Sequence, residues 1–349
     1  MLAACLEQPG RIEVKEVDKP NVQEGEVLIR VDACALCGTD KRVLAGEKPV
    51  SVTIVGHEIV GTIELLGANV SRLKVGQRVA VQTVIGCGDC DPCKINRQNL
   101  CENGFKAIGY AFNGGFAEHM IMPKEGVEQN CLIPIPDDLD TDVATLLEPL
   151  SCCINGLRVM PMESMDHVVI MGAGVIGILN ALVAKARGVR RVTVMNRSQG
   201  RLDLAKNLGL PIDDLVCTAD IDPVQWVKEK SIAGEGVAAV IVSASTTTMA
   251  GPAIEMLKRD GHLSLFAGMP KSDPCTMIDL NLIHYRELHV HGANSSVRID
   301  YDDALKMLSS GQINGEALIT HRFALRDFKK AIEAQNAPGS LKLIVKPKS

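Results

Sequence analysis

A glycine triplet set between an apolar run and a helical run constrains this chain more than any other feature. The text reads HVVIM, then GAGVIG, then ILNALVAKA, so Gly172, Gly174 and Gly177 stand where a buried strand would pass into a helix. The first glycine permits the tight turn, the second lets a ligand approach the backbone, and the third lets helix and strand pack closely. The opening of the helix, through Val175 and Ile176, then offers unpaired N–H groups and a positive dipole end. An extended run at 53–67 and a helix-like stretch at 302–309 flank further strand-like runs at 191–195, 215–218, 238–242 and 262–266, which alternate with helix-like stretches such as 175–187 and 199–208. That alternation predicts an α/β unit, a doubly wound parallel sheet of the Rossmann type, and in that context the triplet reads as a dinucleotide cradle.

The second strand of such a unit usually ends in an acid that bonds the adenosine ribose. Here the text is RRVTVMNRS, which puts Asn196 at that place, followed by Arg197 and Ser198, with Arg201 in the next helix. Amide, guanidinium and hydroxyl groups can donate to a 2′-phosphate that a carboxylate would repel. The expected cofactor is therefore NADP, with NAD possible if Asn196 bonds the ribose.

Twelve cysteines are many for a chain with no visible secretory signal, and four of them cluster. Cys87, Cys90, Cys93 and Cys101 follow the spacing C-x2-C-x2-C-x7-C in a stretch poor in apolar periodicity. Four thiolates close a tetrahedral zinc shell, so this is expected to be a structural zinc lobe, 86–104, in which metal replaces a missing core. A second set is dispersed. Cys37 in ALCGTDK, His57 and Glu58 in VGHEIVG, and Glu148 in LLEPL supply sulfur, imidazole and carboxylate groups, the donors of a zinc with an open position.

Together these segments resemble the zinc-dependent medium-chain alcohol dehydrogenase family, over essentially the whole chain. The resemblance is carried by CGTD from Cys37 to Asp40, GHEIVGTIELLGANV from Gly56 to Val70, the cysteine lobe, GGFAEH from Gly114 to His119, LLEPL and GAGVIG. It implies a mostly-β, GroES-like catalytic domain of 1–150 and 293–349, and a Rossmann dinucleotide-binding domain of 151–292. Cys37 and His57 match the family's catalytic zinc ligands, Glu148 lies where a third ligand is found, and Glu58 resembles the acid that coordinates or exchanges with water in polyol dehydrogenases. Thr39 matches a hydroxyl that relays the alcohol's proton. A glutamate at 148 points to the branch similar to sorbitol and threonine dehydrogenases. The implied activity is hydride transfer between a secondary alcohol, a polyol, sugar alcohol or its phosphate, and NADP, with two zincs per chain. The runner-up is a threonine-dehydrogenase-like amino-acid dehydrogenase.

Sorbitol itself is disfavoured. The aromatic expected beyond CGTD is replaced by Lys41, Arg42, Val43 and Leu44, and HGANSSVRIDY offers Asn294, Ser295 and Ser296 where an Arg-Tyr pair is expected. Lys41 or Arg42 could receive an anionic group, though a solvated helix face is the favoured reading. His119, His284, His289 and His291 are expected in packing or surface roles, since no second partner set accompanies them.

Two other classes compete with this reading: a zinc-free reductase on the same fold, and a non-catalytic zinc-ribbon binding module. Against the module stand a net charge of -5 and an aromatic content of 3%, which also argue against nucleic acid as a partner. The uncharged stretch 168–184 is broken by its glycines and Asn180, so no membrane span is expected. The reading is of a cytoplasmic enzyme with a small-molecule alcohol or ketone as its partner, assembling as a homodimer or homotetramer through a strand near 288–292.

Overall fold

Valine and isoleucine runs without charge make strands that can be buried on both faces. His167–Met171 and Val237–Val242 are such strands, and every residue in both is buried. They form the centre of a six-stranded parallel sheet, ordered Asp214–Cys217, Arg191–Asn196, His167–Met171, Val237–Val242, Leu257–Leu265 and His289–Gly292. The order reverses beside His167–Met171, which is where a doubly wound sheet binds its ligand, at the carboxyl ends of the strands. The helix Val175–Ala186 follows that strand directly. The computed structural model describes residues 1–347, and this sheet belongs to a unit spanning Cys152–Asn294.

The second unit comprises Met1–Ser151 and the segment from Ser295 onward. Its seven-stranded sheet runs Ile319–Ala324, Lys342–Lys346, Val27–Ala35, Glu58–Leu66, Arg78–Val81 and Leu132–Pro134, with His119–Met122 also paired to Val27–Ala35. Buried Val27, Ile29, Val31, Ile59, Phe116, Met120 and Phe328 belong to its core. Two register pairs matter for function. Ala35 lies opposite Glu58, and Ile344 lies opposite Ala35. Three chain segments, those of Cys37, His57–Glu58 and Lys342, therefore meet at one end of this sheet.

Several elements differ from the sequence reading at their ends. The extended run at 53–67 becomes a strand only at Glu58, because Gly56 turns to a φ of +97° and the backbone of Ile54, Val55 and Gly56 bonds Gly114, Phe116 and Gly115 instead. The helix expected from 302 starts at Arg298, since the Asp300 carboxylate accepts from the Val297 N–H at 2.9 Å and sets the cap there. The strand expected from 262 begins at Leu257.

Candidate functional site

At the glycine turn, Gly172 has a φ of +116°, which a side chain would oppose. A Cβ on Gly177 would fall 1.8 Å from the Gly172 carbonyl oxygen, so helix and strand can meet this closely only with glycine there. At Gly174 a Cβ would meet nothing within 4 Å, which leaves open space over the helix start. The helical ladder begins with Ile178 N–H donating to the Gly174 carbonyl at 3.0 Å. The N–H groups of Val175, Ile176 and Gly177 precede it, and this cradle suits a pyrophosphate. Asn196 braces the turn: its Oδ1 accepts from Ala173 N–H at 3.2 Å, and its Nδ2 donates to the Ser198 carbonyl at 2.9 Å. Arg197 and Ser198 are exposed beyond it, and Arg201 is half-buried in the helix Gln199–Asn207.

Cys87, Cys90, Cys93 and Cys101 bring their sulfurs within 4.8 Å of one another. The Cys87–Cys93 and Cys90–Cys101 separations are 4.0 and 3.9 Å. Tetrahedral thiolates bound at about 2.3 Å lie about 3.8 Å apart, so four sulfurs in this array suit a zinc. Backbone N–H groups point at the sulfurs, Cys87 N–H to Cys101 Sγ at 3.3 Å and Cys90 N–H to Cys87 Sγ at 3.4 Å. N–H donors from Cys90 and Asp89 pull the Cys87 thiol down to about 6, whereas burial pushes Cys93 up. The short helix Asp91–Lys94 and the turn Gln98–Leu100 bury little else, as the sequence pattern requires of a lobe held by metal.

The second cluster joins Cys37, His57 and Glu58, whose ligand atoms also lie within 4.8 Å of one another. Cys37 caps the helix Gly38–Leu44, with its sulfur accepting from Thr39 N–H at 3.5 Å and lying 3.7 Å from Thr39 Oγ1. Asp40 accepts from the Cys37 N–H at 2.9 Å and faces His57 Nδ1 with its other oxygen at 3.2 Å. The Tyr110 hydroxyl is also 3.2 Å from Nδ1. With Nδ1 so occupied, Nε2 remains to ligate, an arrangement in which a carboxylate orients a metal-binding imidazole. Burial opposes protonation of His57, but Tyr110, Asp40 and Cys37 outweigh it and raise its pKa well above the ordinary value.

Glu58 is paired with Lys342, and both side chains are 1% exposed. Burial, opposed by Lys342 and reinforced by Glu148, pushes the Glu58 carboxyl up to about 7. Burial would strip the Lys342 charge, yet Glu58, Cys37 and Glu148 together hold its pKa raised. Asp40 Oδ1 faces His57 and Glu58 Oε2 faces Lys342, and the thiol, imidazole and carboxylate of Cys37, His57 and Glu58 make a mixed donor set that suits zinc. Glu148, half-buried at the start of the helix Leu147–Leu157, acts electrostatically on this centre but is not in the trio of close ligand atoms.

Comparison with known proteins bears directly on this pairing of a mixed metal cluster with a glycine cradle. Residues 23–137 match the family described as the alcohol dehydrogenase GroES-like domain, and residues 175–310 match the zinc-binding dehydrogenase family. The chain is 35% identical to a zinc-type alcohol dehydrogenase-like protein of Haemophilus influenzae, over 91% of this chain and 90% of that one. The chain belongs to the zinc-dependent medium-chain alcohol dehydrogenases. Other relatives are the L-threonine 3-dehydrogenase of Mesorhizobium japonicum, 30% identical over 99% of this chain and 97% of its own, and the D-arabitol-phosphate dehydrogenase of Enterococcus avium, at 30% with the same coverages. A Sinorhizobium meliloti structure described as a zinc-binding dehydrogenase bound to NADP superposes with a TM-score of 0.90 at 29% identity, covering 99% of each chain.

Around this centre of the dehydrogenase lie groups that the sequence pattern does not single out. Asp40 stood only inside the CGTD text, and Tyr110 and Lys342 carry no local signal at all. Exposed Lys41 donates to Asn336 at 2.6 Å and half-buried Arg42 pairs with Glu47 at 3.4 Å, while Lys48 stands 4.2 Å over the Tyr110 ring. Ser296 is buried and shares a 2.8 Å hydrogen bond with Ser151, which gives it a packing role. No helix of the described residues is long and apolar enough to cross a membrane.

Proposed function

We propose that this dehydrogenase oxidises a secondary alcohol of a polyol, a sugar alcohol or its phosphate, reversibly, with NADP as the preferred acceptor. The observation that carries the reading is the meeting, within 4.8 Å, of a half-buried thiol with a buried imidazole and a buried carboxylate. A zinc held by Cys37, His57 and Glu58, with Glu148 in exchange, would supply Lewis acidity toward a substrate hydroxyl, and a nicotinamide would accept the hydride. The protein's own residues do the rest. Asp40 and Tyr110 hold the His57 ring, Cys37 is fixed as a helix cap, and Thr39 carries a hydroxyl within 3.7 Å of the Cys37 sulfur, positioned for a proton relay. Gly172, Gly174 and Gly177 admit the pyrophosphate, and Arg197, Ser198 and Arg201 supply donors for a 2′-phosphate.

The polyol-phosphate relative supports the substrate class, and the NADP-bound neighbour supports the cofactor. The threonine dehydrogenase relative keeps an amino-acid alcohol as the second reading. One assay separates these: NADPH absorbance followed against polyols, polyol phosphates and hydroxy amino acids. In the same assay Cys37→Ala is expected to abolish oxidation while NADP binding stays nearly intact; normal turnover by that variant would mean the centre is misassigned. Asn196→Asp with Arg197→Leu should move preference toward NAD, and unchanged or stronger NADP selectivity would remove the cofactor assignment.

A further inference from the structure

Three histidines with no motif to group them come together on one face of the last two strands of the parallel sheet. His262 on Leu257–Leu265 lies opposite His289 on His289–Gly292, and His291 follows two residues on, opposite Ser264. The partner set expected to be absent is therefore present. His262 Nδ1 and His291 Nε2 are 3.0 Å apart, and His289 Nε2 is 2.9 Å from Asp260. The rings are nearly parallel, His262 and His289 at 15°, and His262 and His291 at 13°. His262 is 8% exposed, and beside it the Ser264 hydroxyl is fully buried with no hydrogen-bond partner among the described residues.

We infer that His262 and His291, with His289 as an adjustable third donor, form a binding site for a borderline divalent transition-metal cation, separate from the two zinc centres. The two nitrogens, 3.0 Å apart, share one proton in an N–H···N bridge, and when the donor ring carries that proton on its other nitrogen instead, both facing nitrogens offer lone pairs. Two imidazoles on a tetrahedral cation at about 2.0–2.1 Å lie about 3.3 Å apart, so to admit one the bridge must open by about 0.3 Å and both rings must turn until their lone pairs point at the ion. Burial, and then the neighbouring imidazoles, depress the pKa of His262 and His291, which keeps them in the neutral form that metals require. His289 is exposed and can turn from Asp260 toward the pair. An all-imidazole set with a nearby carboxylate suits nickel, copper or zinc and gives calcium or magnesium little to bind.

The site would cross-link the four-residue strand His289–Gly292, which among the described residues pairs only with Leu257–Leu265, to that neighbour. Short edge strands open readily, so a bound cation should suppress that opening. The test is calorimetric titration of Ni2+ into zinc-loaded protein, with zinc release followed throughout, together with amide exchange at Val290. Expected are one Ni2+ per chain beyond the zinc, slower exchange at Val290, and affinity lowered more than about tenfold in His291→Gln and His262→Asn but not in His284→Gln. Should His262→Asn fail to fold, His291→Gln and His289→Gln carry the test. Wild-type protein that takes up no Ni2+, or a His291→Gln variant that binds it as tightly, overturns the proposal.

Discussion

Lys342 reaches the metal cluster from the far end of the chain. Its ammonium contacts the Glu58 carboxylate and lies 3.4 Å from the Leu36 carbonyl, with essentially no solvent access. A cation in such a place faces a large desolvation cost, and it persists because Glu58, Cys37 and Glu148 all favour its charge. The Cys37 thiolate and the Glu58 and Glu148 carboxylates carry three negative charges, which a divalent cation and one ammonium offset, while the Asp40 carboxylate is answered by His57. Deleting one partner of a buried pair leaves the other uncompensated, at a cost of about 3–5 kcal/mol. Lys342→Met in zinc-free protein is therefore expected to lower thermal stability strongly, and Glu58→Gln added to it should recover most of the loss. Equal and additive losses in a denaturation cycle would show that the two groups do not depend on each other.

Among the elements, legibility followed locality. The cysteine lobe could be read because all four thiols lie within fifteen residues, and the glycine turn because strand, turn and helix are contiguous in sequence. The Glu58–Lys342 pair and the histidine cluster could not, because each depends on strand register across segments far apart in sequence. A polar chain at the start of the parallel strands escaped the reading for the same reason. His167 Nε2 lies 2.8 Å from Thr193 Oγ1, which donates to Asp214 at 2.9 Å, and Arg191 clamps that carboxylate at 2.7 Å. Since the Thr193 proton goes to Asp214, its oxygen accepts from the Nε2–H of the neutral His167 ring. Burial, and then Arg191, hold the His167 pKa at about 4. The unfolded chain, with an ordinary imidazole value of about 6.5, takes up this proton first as pH falls. Stability from this group is thus full above about pH 6.5 and drains away toward about pH 4. Melting temperature measured between pH 7.5 and 5 should fall less steeply for His167→Gln than for the wild type; parallel curves would remove His167 from the network.

At the scale of the whole molecule, the two metal clusters differ in what depends on them. The four-cysteine lobe buries Cys93, Cys101, Gln98 and Asn99 but no large apolar side chain, so its order rests on the ion. The Cys37–His57–Glu58 centre sits instead at the end of a sheet whose core of valines, isoleucines and phenylalanines is complete without metal. Loss of metal should therefore separate into two events. Mild chelation is expected to remove one zinc, abolish turnover and leave the melting temperature nearly unchanged, because the sheet still buries its apolar surface. Stronger chelation with a thiol-reactive agent should release the second zinc and lower the melting temperature, since the thiolates then lose the bond that replaces a core. Zinc content, turnover and calorimetry on the same samples decide it: one zinc surviving mild chelation with activity intact would favour a zinc-free reduction chemistry over the proposed centre.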